Sequence, residues 1–147
     1  MKKYYWLFLI MLVSINVMAQ TNHDINEEFI AVRKIGTLTD DQLESSRINK
    51  IQQIKTIEEA KELALTAIKN NTPFLLISGG VAPTIISSDF EFENKYNIYF
   101  YEFGCNPIRE DLMKIYNREV FKYLTVQFGT NWKKEIRKDV VGFSEKY

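Results

Sequence analysis

The stretch IISSDFEFENKYNIYFYEFG, residues 85–104, decides how this chain is read. Phe90 and Phe92 alternate with Asp89, Glu91 and Glu93, which is the two-residue period of a half-buried strand. Glu93-Asn94-Lys95 supplies a turn, and residues 96–103 form a second, very aromatic strand. On this reading the two strands pair as an antiparallel hairpin. Just upstream, Phe74-Leu75-Leu76-Ile77-Ser78 is short, continuous and apolar, as expected of a strand buried on both faces. Gly79-Gly80 and Pro83 punctuate the connection.

Working outward, helices flank these strands. Thr39-Asp40-Asp41-Gln42 has the form of a capping box, so a helix is expected over 40–55 with Leu43, Ile51 and Ile54 on one side. Thr56-Ile57-Glu58-Glu59 repeats the signature. Behind it Ile57, Ala60, Ala64, Ala67 and Ile68 keep helical spacing up to the stop at Asn70-Asn71-Thr72-Pro73, where proline cannot continue a helix. Downstream, Asn106-Pro107 opens a further helix, with Glu110 and Asp111 where the helix dipole favours negative charge. Leu112, Ile115, Tyr116, Val120, Tyr123 and Leu124 form its apolar face. Gly129 stops it, and Thr130 caps a last short helix carrying Trp132, Ile136 and Val140. The expected class is α+β: a small antiparallel sheet of about three strands packed against N-terminal and C-terminal helices. One domain, 39–147, would hold all of it.

The first 19 residues carry a different message. Lys2 and Lys3 precede an unbroken apolar run over 4–13, and Val17 and Ala19 place modest side chains before a cut at Gln20. That is the pattern of a secretory signal peptide. The run is too short to span ~30 Å of hydrocarbon comfortably. No membrane anchor is expected after cleavage, and the mature chain is expected in a periplasm or beyond it. Residues 20–38 read as a flexible leader with a short strand at 29–32.

The chain has 147 residues with 19 basic and 19 acidic side chains. Such balance argues against a dedicated nucleic-acid binder, which shows a basic stripe. One histidine and one cysteine leave no ligand set for the common zinc sites and no internal disulfide. His23 falls in the polar leader, where nothing holds it for catalysis. Cys105 precedes a helix without a resolving cysteine or a positioned histidine, and reads as a small packed hydrophobe. Gly79-Gly80 lacks the residues that complete a phosphate-binding loop. No cofactor and no metal is expected.

Two candidate sites remain. Tyr96, Tyr99 and Tyr101 make the second strand a plausible binding face, because tyrosine offers contact area at little entropic cost. Asp89 and Glu91 offer a carboxylate pair for hydrolysis. The alternating acids are also the expected solvent side of an antiparallel strand.

Phe103-Gly104-Cys105 with Pro107, Tyr116-Asn117, Phe121-x-Tyr123-Leu124, Phe128-Gly129-x-x-Trp132 and Glu135-Ile136-Arg137 resembles small exported bacterial proteins of uncharacterised function. The likeness covers about the last third of the chain and implies neither an activity nor site residues. The resulting expectation is an exported, non-catalytic binding domain whose partner is a protein or envelope component. The alternative is a small envelope hydrolase using strand carboxylates.

Overall fold

Residue 89 points inward, and so do 92, 93 and 96: Asp89, Phe92, Glu93 and Tyr96 are all buried. Their spacing is that of a helix, not a strand. The computed structural model describes residues 37–79, 86–103 and 107–143, all within the compact unit Arg33–Tyr147. The cleavage site, residues 20–36 of the leader with His23 and the strand at 29–32, Gly80, Cys105 and Asn106 lie outside the described residues, whereas Leu38 joins the core.

Five helices and two strands are described. They run α1 (Asp40–Ser46), a 3-10 turn (Ile48–Gln53), α2 (Ile57–Lys69), β1 (Phe74–Ile77), α3 (Ser87–Tyr96), β2 (Tyr99–Glu102), α4 (Glu110–Phe128) and α5 (Trp132–Glu135). The architecture mixes helix and strand around a small sheet, but the expected antiparallel hairpin is corrected. The strands β1 and β2 are parallel, with Phe74 beside Tyr99 and Ile77 beside Glu102. Parallel neighbours need a crossover rather than a turn, and α3 is that crossover.

The alternation of residues 89–93 does not mark a strand, because two of its acids, Asp89 and Glu93, are buried. Phe90 is 43% exposed whereas Phe92 is 3% exposed, so the two rings do not share a face. Asn97 ends α3 in the left-handed conformation (φ 48°), its N–H bonded to the Glu93 carbonyl. Asparagine tolerates that geometry better than most residues.

The third strand is also corrected. Among the described residues, the far edge of β1 meets one antiparallel bridge, Ile77 to Val140, and no further named strand. On that edge Val141 N donates to Leu76 O at 3.2 Å, and a side chain completes the bonding of Leu76. Asn117 Oδ1 accepts from Leu76 N at 2.8 Å, while its Nδ2 donates to Leu76 O and to Val141 O, each at 2.9 Å. The amide stands where a neighbouring strand's peptide group would stand, and ties β1, α4 and the C-terminal segment together.

The helix expected over 40–55 divides at Arg47, which adopts φ 58°. Ser46 Oγ donates to Leu43 O and accepts from Ile48 N, taking up backbone groups that a continuing helix would have used. Both capping boxes form. Thr39 Oγ1 accepts from Gln42 N, and Thr56 Oγ1 accepts from Glu59 N. Thr56→Ala should therefore cost about 1 kcal/mol, read from the shift of a urea-unfolding midpoint; an unchanged midpoint would mean that α2 forms without its cap.

The core gathers Phe74, Leu75 and Leu76 of β1 with Met113, Tyr116, Val120, Phe121 and Leu124 of α4 and the alanines of α2. Three alanines at 60, 64 and 67, all fully buried, keep that face of α2 narrow for close helix packing. Trp132 is wholly buried, stacked on Phe121 at 5.3 Å and lying 5.9 Å from Phe143. Gly129 closes α4 at φ 71°, ψ −144°, a conformation that essentially only glycine reaches without strain.

Candidate functional site

The three tyrosines singled out from the sequence do not form one exposed face. Tyr96 sits on the inner side of α3 and is 2% exposed, its ring 4.7 Å from Phe92 and edge-on to Phe128 at 5.2 Å. Tyr99 is buried against Phe74 at 5.5 Å. Tyr101, on the same sheet face, is half-buried and edge-on to Phe103 at 5.1 Å. Burial pushes the Tyr96, Tyr99 and Tyr101 phenols above the usual tyrosine range, and the Glu93 carboxylate adds to the effect at Tyr99. These are neutral packing groups at physiological pH, not phenolate bases.

The carboxylates diverge. Residues two apart on a helix are about 200° apart around its axis, so Asp89 is buried while Glu91 faces solvent. Asp89 Oδ2 accepts from Arg137 Nη1 at 2.7 Å and from Ile86 N at 3.1 Å, the latter securing the start of α3. Glu93 Oε1 accepts from Phe100 N at 2.8 Å. Asp89 and Glu93 thus serve the join between α3, β2 and the C-terminal segment. Arg137, itself buried, also forks onto Asp139 at 2.9 and 2.6 Å and lies 5.6 Å from the centre of the Phe100 ring. Its guanidinium holds the Asp139 carboxyl below the usual carboxylate range. A buried arginine bonded to two acids is already neutralised, which suits a clamp better than a site for an incoming anion.

A concavity lies elsewhere. Between the 3-10 turn and α2 runs an open groove of about 310 Å³, lined by Arg47, Lys50, Gln53, Ile54, Glu59, Glu62 and Leu63. Each wall has a local cause. The left-handed Arg47 turns the chain from α1 into the 3-10 turn, which carries Lys50 and Gln53 along one side. The Thr56 cap starts α2, and helical spacing then sets Glu59, Glu62 and Leu63 along the other. Ile54 is half-buried and Leu63 buried, so the groove has an apolar floor. Glu59 Oε2 accepts from Lys55 N at 2.7 Å and Thr56 N at 3.0 Å. These backbone donors, Lys55 N foremost, hold its carboxyl below the usual range. Glu62 faces Arg47 at 3.8 Å, with both side chains well exposed, a pair worth little in water.

No local sequence signal marks this groove, because its geometry depends on the break at Arg47 that ends α1 well before residue 55. Asn117 and Arg137 did leave a signal. Asn117 interrupts the apolar stripe of α4 between Met113 and Val120, and Arg137 directly follows the buried Ile136. Among the described residues no group of acids, histidines or cysteines is placed to hold a metal, and no helix is long and apolar enough to cross a membrane.

Comparison with protein families, with curated proteins and with solved structures finds no match. The groove and the clamp are therefore read from their own chemistry alone.

Proposed function

We propose that the mature chain is an exported, non-catalytic binding domain of the bacterial envelope whose partner is a protein or another envelope component. The observation that carries this reading is the groove between the 3-10 turn and α2. It combines an aliphatic floor with charged and amide groups on its walls, the mixture by which ligand sites gain area and orientation together. The signal-peptide pattern at the N-terminus supports export. Against the hydrolase alternative stands the divergence of Asp89 and Glu91. A glycosidase needs two carboxyl groups roughly 5–9 Å apart across a cleft, and Asp89 is buried in a bond to Arg137.

The test is photo-crosslinking in intact cells. A benzophenone side chain replacing Gln53 in the groove should give a defined adduct, and the same group replacing the solvent-facing Lys122 on α4 should give none. Purified mature chain should also leave a library of glycans and peptides intact. Library turnover without an adduct from position 53 would reverse the assignment in favour of the hydrolase.

A further inference from the structure

We draw no further inference here: the strongest candidate, the surface patch at the C-terminal end of α4 where Val126 and Phe128 are exposed, carries none because nothing in the structure shows what covers it.

Discussion

Asn117→Ala should destabilise the protein by about 2–6 kcal/mol, because it strands two buried backbone groups, Leu76 N–H and Val141 C=O, at about 1–3 kcal/mol each. Leu76 C=O keeps its bond from Val141 N at 3.2 Å. Leu76 N–H, Leu76 C=O and Val141 C=O all bond to that one amide, and Asn117 is fully buried. The pattern also fixes the amide's orientation, since the N–H needs an oxygen and the two carbonyls need the nitrogen. Net stabilities of domains this size are only about 5–15 kcal/mol, so the variant should be marginal at 37 °C. Asn117→Asp is the informative companion: it keeps the acceptor for Leu76 N but loses both donors and buries a charge. Urea unfolding reads both. A loss below about 1 kcal/mol for Asn117→Ala would mean that water replaces the amide and that β1 has no need of its side-chain neighbour.

Arg137→Met should cost about 3–5 kcal/mol, since breaking a buried ion pair from one side leaves the other charge uncompensated. Arg137 and Asp89 have side chains only 5% and 9% exposed and meet at 2.7 Å. The double variant Arg137→Met with Asp89→Leu should recover most of the loss, because apolar side chains of similar volume often replace a buried pair without penalty. The sign of the pH dependence follows from Asp139. Its carboxyl is held below the usual range by the Arg137 guanidinium, so its contribution is present above the unfolded-state value and is lost as pH falls through the lower folded-state value. The gap between wild type and Arg137→Met should narrow in strong acid. A double variant as unstable as the single one would show that Arg137 acts through Asp139 and Phe100 instead of Asp89.

The helices with their own signals were legible in the sequence. Thr56 caps α2, and Asn70–Pro73 ends it. Gly129 closes α4. Each of these signals acts within one helical turn, so neighbours along the chain suffice to read it. Two expected starts are corrected: α4 begins at Glu110 behind Arg109 and not at Asn106-Pro107, and the last helix follows Asn131 with no cap from Thr130 and ends at Glu135. The crossover helix was not legible. Its inner face carries Asp89 and Glu93 beside Phe92 and Tyr96, and acids normally mark the outer face. Arg137, 48 residues away from Asp89, and the backbone N–H of Phe100 help make that burial affordable. A strand pattern and a helix pattern therefore competed locally, and the distant partner decided between them. The burial of Tyr96 has the same cause, because a crossover helix directs it into the core.

By itself, then, the sequence determined a mixed α and β chain, the capped starts of α1 and α2, the buried strand at 74–77 and the apolar stripe of α4. These rest on short-range periodicity and capping, which are properties of consecutive residues. Tertiary structure alone decided the parallel pairing of β1 with β2, the use of Asn117 as a substitute strand edge, the burial of the Asp89–Arg137 pair, and the groove between the 3-10 turn and α2. Each depends on groups that meet only once the chain has folded back. A buried polar residue is tolerable or ruinous according to whether its partner is there.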